Sequence, residues 1–256
     1  MENVIHWLGG SLIQWACSVV VVLPFVIVAV RAARRQGRHV SLMRLTLLAF
    51  FFLVSLALTR LDPVCSFIKS PWQSMILQVA CALTFIFATR SVARAGLTLH
   101  ISAHAWRDSV IVTTLLLLFV VARSLLLRRL GLGSSTGQNR TTSIAVEYLL
   151  FQLTMPGIAE ELGYRGVIQP GLNESLGRPW KLLGIQVGWG WVITSLIFWA
   201  IHAFRVAPPL QLSFYWPTLT MQLIAGFAYG WIRERTESVF PPILAHNLVN
   251  VVWTLM

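Results

Sequence analysis

Long apolar runs dominate this chain of 256 residues and constrain its fold more than any other feature. Charged residues make up only 11% of the sequence, whereas soluble domains carry roughly a quarter. Apolar runs of about 18 or more residues with few charges are typical of transmembrane helices. We therefore predict an all-α fold: a polytopic transmembrane helical bundle with about eight spans, as in a multi-pass integral protein of the inner cell membrane.

Eight apolar runs define the predicted spans. They cover about residues 12–30, 45–59, 72–89, 110–127, 143–168, 183–204, 216–232 and 239–256. The first run lacks a preceding basic region and is too long for a signal-peptide core, so we interpret it as a retained span. The polar, Gly/Ser-rich connection 128–142 separates two predicted domains: amino-terminal transmembrane helices (1–142) and a carboxy-terminal core (143–256).

The basic residues indicate an orientation in the bilayer. A net charge of +11 could suggest nucleic-acid binding, but the arginines and lysines fall mainly in short clusters between apolar runs. We therefore expect the lipid bilayer as a partner and no nucleic acid. With the amino terminus outside, twelve basic residues lie in inner loops and six in outer segments, which favours both termini outside. The three cysteines, Cys17, Cys65 and Cys81, are too widely spaced to indicate a disulfide framework or metal cluster.

Two adjacent carboxylates interrupt the fifth apolar run. In the stretch MPGIAEELGYRG, residues 155–166, Glu161 and Arg165 are four residues apart, so they can form an ion pair on one helix face. Glu160 lies about 100° around the helix and has no such partner on its own helix. A charge near the bilayer centre costs about 2.5–3.5 kcal/mol or more, so ionisable groups there usually mark a functional site. Glu160 is therefore a candidate general acid–base. The alternative is that both glutamates only brace the helix.

Two more pairs with the same spacing follow in later spans. Phe198 and His202 occur in FWAIHAF, and His246 and Asn250 occur in LAHNLVNVV. A single histidine in such a run is more often a hydrogen bonder between helices than a catalyst. Two histidines, an asparagine and an unpaired glutamate on three helices could instead converge in the bundle interior, where polar groups must find partners.

Taken in order, these motifs resemble a known family. Glu-Glu-x-x-x-Arg, Phe-x-x-x-His and His-x-x-x-Asn are similar to the motifs of the CPBP family, which groups CAAX prenyl proteases with bacteriocin-processing enzymes. It is also called the abortive-infection family of intramembrane proteases. The matching positions are Glu160, Glu161 and Arg165; Phe198 and His202; and His246 and Asn250. The resemblance covers about residues 150–256 and implies an intramembrane endopeptidase.

The resemblance also implies a role for each motif residue. Glu160 with His202 would activate a water, and His246 with Asn250 would line an oxyanion hole. The residues expected to support the site are Glu161, Arg165 and Phe198, the first two by holding the helix and the orientation of Glu160. Glu160, His202 and His246 would also make a His₂Glu zinc set. The local His-Glu-x-x-His signature of zinc proteases is missing, however, so we expect no cofactor.

The substrate and the position of His202 stay open at this stage. The resemblance implies a peptide or protein at the membrane: a prenylated tail, a leader peptide or a sorting anchor. Alternatives are a proton-coupled transporter and a non-catalytic immunity or scaffold protein. A transporter would more often show inverted repeats, and a silent homologue would be expected to lose a motif position. His202 falls near the outer end of span 183–204, so that helix either begins later than hydropathy indicates or is broken at residues 188–191.

Overall fold

Five α-helices build the amino-terminal half of the molecule. The structure is a computed structural model that describes residues 2–61, 71–132, 142–207, 210–215 and 219–256. The first helices are α1 (Glu2–Arg35), α2 (Leu42–Thr59), α3 (Trp72–Ala88), α4 (Val92–Ala95) and α5 (Ala103–Arg129). The second span, predicted from residue 45, begins three residues earlier because the Ser41 hydroxyl caps the helix, accepting a hydrogen bond from the Arg44 backbone N–H at 3.3 Å.

The carboxy-terminal half contains helices and two short hairpins. One continuous helical stretch comprises α6 (Thr142–Glu161), a π-helical segment (Leu162–Ile168) and α7 (Gln169–Leu176). After it come β1 (Trp180–Leu182), β2 (Ile185–Val187), α8 (Trp189–Ala203), β3 (Phe204–Ala207), β4 (Gln211–Phe214), α9 (Leu219–Thr236) and α10 (Phe240–Leu255). Both strand pairs are antiparallel, with Trp180 opposite Val187 and Phe204 opposite Phe214. The hairpins are additions to the predicted all-α class.

The predicted span 183–204 is wrong at its beginning. Leu183 and Gly184 both have positive φ angles, 48° and 82°, and form the tight turn of the β1–β2 hairpin. Helix α8 begins only at Trp189, where the Asn173 side-chain oxygen accepts a hydrogen bond from the Gly190 N–H at 2.8 Å. Hydropathy could not separate the two elements, because the β2 residues are largely apolar. The helix has 15 residues and ends at Ala203, so His202 lies in its last turn.

Three helices are long and apolar enough to cross a membrane, judged by length and composition. They are Val4–Arg35, Leu42–Thr59 and Ala103–Arg129, and two shorter apolar helices are Trp72–Ala88 and Trp189–Ala203. The helical membrane class is therefore confirmed, while the count of eight spans stays a prediction. Cys17 and Cys81 are free thiols, and Cys65 lies outside the described residues.

Close helix packing positions the carboxy-terminal elements. A Cβ atom at Gly226 would lie 3.1 Å from the Ser195 carbonyl oxygen, and one at Gly230 would lie 2.6 Å from Trp191. These two glycines therefore let α9 approach α8, as small residues at the interface of membrane helices do. The two halves share one core, because α1 packs on α8 and α5 packs on both α9 and α10.

Candidate active site

Glu161 connects two other motif residues at the centre of the molecule. Its Oε2 lies 3.1 Å from Arg165 Nε, and both side chains are fully buried. Its Oε1 lies 2.9 Å from His246 Nδ1. Because an ionised carboxylate can only accept, Nδ1 of His246 is the donor. The spacing predicted the ion pair with Arg165, but Glu161 also orients His246, which the sequence did not indicate.

Arg165 lies in the π-helical segment and is held on several sides. Its Nη2 donates to the Gly226 carbonyl oxygen at 2.9 Å, and its guanidinium carbon lies 4.9 Å from the centre of the Phe198 ring. An arginine over an aromatic face is stabilised by a cation–π interaction. π-Helical segments are rare and occur frequently at functional sites. A buried guanidinium with its carboxylate partner is costly to disrupt, so this pair ties α6 to α8 and α9.

Glu160 has different surroundings from its neighbour. Its Oε2 is buried and has no hydrogen-bond partner among the described residues. The carboxylate lies close enough to His202 and Tyr229 to interact electrostatically with both. A buried polar oxygen without a partner is unusual in folded proteins, because no hydrogen bond offsets the free-energy cost of burying it. Such an oxygen is suited to bind a water or a substrate proton.

His202 is oriented by its own helix. Its Nδ1 lies 2.7 Å from the Phe198 carbonyl oxygen, one turn earlier. A carbonyl oxygen can only accept, so Nδ1 carries the proton. In the neutral ring, Nε2 is then a proton acceptor. The Phe-x-x-x-His spacing thus fixes the tautomer of the histidine as well as its direction.

One cavity of about 250 Å³ brings motif residues from two helices together. His202, His246 and Asn250 all line it. Other polar residues that line it include Tyr148, Gln152, Arg205 and Gln222. Glu160 is not among the lining residues and acts on His202 from beside the cavity. The cavity therefore collects three of the four predicted catalytic residues, while Glu160 lies within electrostatic reach of one of them, His202.

Phe198 is the aromatic centre of the site. It is buried, and its ring meets Tyr164, Tyr229 and His246 edge-on at centroid distances of 5.6, 6.1 and 5.8 Å. Tyr229 also stacks on the imidazole of His246 at 4.9 Å. Edge-to-face and stacked aromatic pairs restrict ring orientation. Phe198 and Tyr229 thus help hold His246 in place, and nothing in the sequence had singled out Tyr229.

Asn247 is a second residue that the sequence analysis did not assign. Its Nδ2 donates to the Thr154 carbonyl oxygen at 3.0 Å, and its Oδ1 accepts from the Gly157 N–H at 2.8 Å. Pro156 lies between these two backbone groups and interrupts the hydrogen bonds of α6. Asn247 therefore bonds backbone groups at the proline and joins α6 to α10. In the sequence, the Pro156-Gly157 step beside the glutamates was the feature that could have indicated these backbone contacts.

In each of the two histidines, Nδ1 makes the hydrogen bond that orients the ring, and Nε2 is the other ring nitrogen. Within the part of the chain that the structure describes, no three His, Cys, Asp or Glu side chains form a group that could hold a metal ion. The residues Glu160, His202 and His246 are thus near one another without forming a ligand set in this conformation.

Comparison with known proteins identifies the carboxy-terminal part of the chain. Residues 141–252 match the family described as type II CAAX prenyl endopeptidase Rce1-like. This segment contains all three motifs and carries an Rce1-like domain, which confirms the resemblance to the CPBP intramembrane proteases. Together with the apolar helices, it indicates an integral membrane endopeptidase that acts on a peptide or protein at the membrane. No curated protein and no solved structure matches the chain.

Proposed function

We propose that this chain is an intramembrane glutamic endopeptidase of the cell membrane in which Glu160 activates the hydrolytic water. The observation that carries the proposal is the cavity that joins His202, His246 and Asn250 beside the buried, unpartnered oxygen of Glu160. A carboxylate, an imidazole base and two further polar groups around one space are the groups that peptide hydrolysis needs.

The first step is attack by water. A water between Glu160 and Nε2 of His202 donates one hydrogen bond to each. Glu160 takes a proton as the oxygen attacks the scissile carbonyl carbon, while His202 holds the second hydrogen and directs the lone pair. Because His202 Nδ1 donates to the Phe198 carbonyl, Nε2 is the acceptor nitrogen of the neutral ring.

The second step is stabilisation and collapse of the tetrahedral intermediate. The Asn250 amide and His246 Nε2–H donate hydrogen bonds to the oxyanion, each worth about 2.7–4 kcal/mol in comparable sites. Since Nδ1 of His246 donates to Glu161, this step requires a second ring proton on Nε2, which is the imidazolium form. The C–N bond then breaks, and Glu160 returns its proton to the leaving amine.

The proposed substrate is a prenylated carboxy-terminal tail. The description of the matched family favours it over a leader peptide or a sorting anchor. A lipid-modified tail would remain in the bilayer while its peptide bond reaches the cavity, so the membrane would supply part of the binding energy. The proposed reaction uses neither a cofactor nor a nucleic acid.

Cleavage of a farnesylated peptide by the full chain, purified and placed in phospholipid nanodiscs, tests the proposal. Glu160→Gln should remain folded and lose activity by at least about 10², because the amide cannot take the proton from water. Glu237→Gln is a matched control, since Glu237 is an exposed glutamate that does not line the cavity. Full activity of Glu160→Gln would overturn the mechanism.

Chelation separates the proposed mechanism from a zinc mechanism. If Glu160 and His202 act directly on water, activity should survive exhaustive dialysis against a chelator. The pH–rate profile should be bell-shaped, because Glu160 must be ionised and His246 protonated in the same molecule. Loss of activity on chelation, with recovery on adding one equivalent of zinc, would replace this mechanism with a metal-dependent one.

A further inference from the structure

A second cavity, of about 240 Å³, shares no lining residue with the candidate active site. It lies where the beginning of α2 meets the end of α3, α4, the π-helical segment and α7. Its polar rim comprises Ser41, Arg44, Thr89, Ser91 and Arg94. Its apolar walls include Met43, Leu47, Leu48, Phe85 and Val167. The cavity thus combines a basic rim with apolar walls.

The rim carries more positive charge than its carboxylate can neutralise. Arg44 Nη1 lies 2.7 Å from Glu174 Oε1, and Arg94 Nη1 pairs with Oε2 of the same carboxylate. Arg38 Nη2 donates to the Glu174 backbone oxygen at 3.3 Å. Two guanidinium groups therefore share one carboxylate, and a third donates to the backbone of the same residue. Burial and the neighbouring charge of Arg44 both lower the pKa of Arg94, as expected where cations are crowded.

The apolar side of the cavity reaches the surface that α2 presents outward. Met43 and Leu47 line the cavity and are 74% and 43% exposed. They belong to a helix that is long and apolar enough to span a membrane. Exposed apolar side chains on such a helix face lipid tails rather than water. A ligand in this cavity would therefore contact arginines at one end and acyl chains at the other.

We propose that this cavity binds the headgroup phosphate of an anionic phospholipid, with Arg44 and Arg94 as its ligands. Arginine forms charge-assisted, bidentate hydrogen bonds with phosphate oxygens. The acyl chains lie along Met43 and Leu47. Basic pockets between membrane helices suit such headgroups, because the phosphate neutralises the excess charge while the chains stay in the bilayer. A free phosphate has the same headgroup chemistry but gains nothing from the apolar side.

Lipid retention in native mass spectrometry tests the proposal independently of proteolysis. The full chain is purified from nanodiscs of phosphatidylcholine mixed with phosphatidylglycerol, and the bound phosphatidylglycerol is counted. We expect Arg94→Gln to reduce retention about fivefold or more. Arg44 still pairs with Glu174 in that variant. Thr89→Trp should block the cavity while leaving both arginines intact, because Thr89 is an exposed rim residue.

Arg35→Gln is the control for general attraction between a basic surface and anionic lipid. Arg35 is exposed in the last turn of α1 and does not line the cavity, so retention should be unchanged. Equal loss in Arg35→Gln, or full retention in both Arg94→Gln and Thr89→Trp, would overturn the proposal. If Arg94→Gln does not fold, Thr89→Trp decides the test.

A separate measurement distinguishes the lipid from a free anion. In nanodiscs of phosphatidylcholine alone, inorganic phosphate should raise the melting temperature far less than phosphatidylglycerol does in mixed nanodiscs. An equal rise with inorganic phosphate, abolished by Arg94→Gln, would assign the cavity to a soluble phosphate and overturn the lipid assignment.

Discussion

Two adjacent glutamates in α6 show how surroundings separate residues of one type. Glu161 is fully buried between Arg165 and His246, whereas a buried oxygen of Glu160 has no partner among the described residues. A carboxylate with two partners is suited to hold other groups in place. A carboxylate with an unused oxygen is suited to exchange a proton with a bound water.

Glu161→Gln should destabilise the protein by about 3–5 kcal/mol, because it leaves the buried guanidinium of Arg165 without its counter-charge. The amide that replaces the carboxylate has a single oxygen, so it cannot accept from both Arg165 and His246 in this geometry. Thermal unfolding of the protein in detergent measures the effect. Glu160→Gln, in the same turn of helix, is the matched control and should unfold near the wild-type temperature. Equal destabilisation by both changes would mean that the glutamates are only structural.

Two asparagines in α10 allow a test of catalysis against structure. Asn250→Ala should lower kcat by about 10²–10³ and change KM little, because an oxyanion donor acts mainly in the transition state. Asn247→Ala should instead cost about 1–3 kcal/mol of stability, since it leaves the Gly157 N–H and the Thr154 carbonyl without their side-chain partner. Peptide cleavage and thermal unfolding of both variants would show the contrast. A catalytic defect in Asn247→Ala alone would contradict the assignment.

At the scale of elements, the stretch from α6 to α7 carries the site. It contains Pro156, then both glutamates, then the π-helical segment with Arg165. Helix α10 approaches this stretch closely at Gly157, where a Cβ atom would lie 2.5 Å from Asn247 Oδ1 and 2.7 Å from the Ile243 carbonyl oxygen. The approach brings His246 to Glu161, so the contact between the two helices and the catalytic geometry depend on each other.

Gly157→Ala should therefore lower both the melting temperature and the activity, because backbone and amide atoms cannot move aside easily. Gly163→Ala is the matched control in the same helical stretch. Its Cβ would lie 3.8 Å from Phe51, an ordinary contact, so we expect little effect on either property. Thermal unfolding and peptide cleavage would be measured for both variants. A neutral Gly157→Ala would show that α10 does not need this close approach.

At the scale of the whole molecule, the amino-terminal helices support the domain that carries the motifs. Gln14 in α1 donates to the Ile201 and Phe204 carbonyl oxygens at 2.6 and 3.0 Å, at the end of α8. Arg233 of α9 donates to the Arg94 carbonyl oxygen at 2.7 Å. The end of α8 carries His202, so the first helix supports the element that positions this residue. The predicted boundary at residue 142 stays a prediction.

The predicted orientation with both termini outside can be tested by cysteine labelling. In a background without Cys17, Cys65 and Cys81, Met256→Cys should react in intact cells with a maleimide that cannot cross the membrane. Gln36→Cys, in a predicted inner loop, should react only after the membrane is permeabilised. The reverse pattern would invert the orientation, and labelling of both positions in intact cells would contradict the span count.

Contacts that lie within one helix can be predicted from the amino-acid sequence alone. Glu161 with Arg165 and Phe198 with His202 are each four residues apart, which is about one helical turn, so their meeting follows from spacing. The helical membrane class follows similarly, because a chain with so few charges cannot cover its apolar runs with water-facing side chains. The order of the motifs also indicated the family.

Contacts between elements depend on the tertiary packing and could not be predicted from spacing. His246 and Glu161 are 85 residues apart, and their 2.9 Å contact depends on how α10 is rotated against α6. The stacking of Tyr229 and the role of Asn247 depend on the same packing. Residues 185–187 belong to the predicted span 183–204, but in the structure they pair as a β-strand. Spacing along a chain fixes neighbours on one helix, whereas the rotation and distance between helices are set by side-chain packing, to which residues throughout the chain contribute.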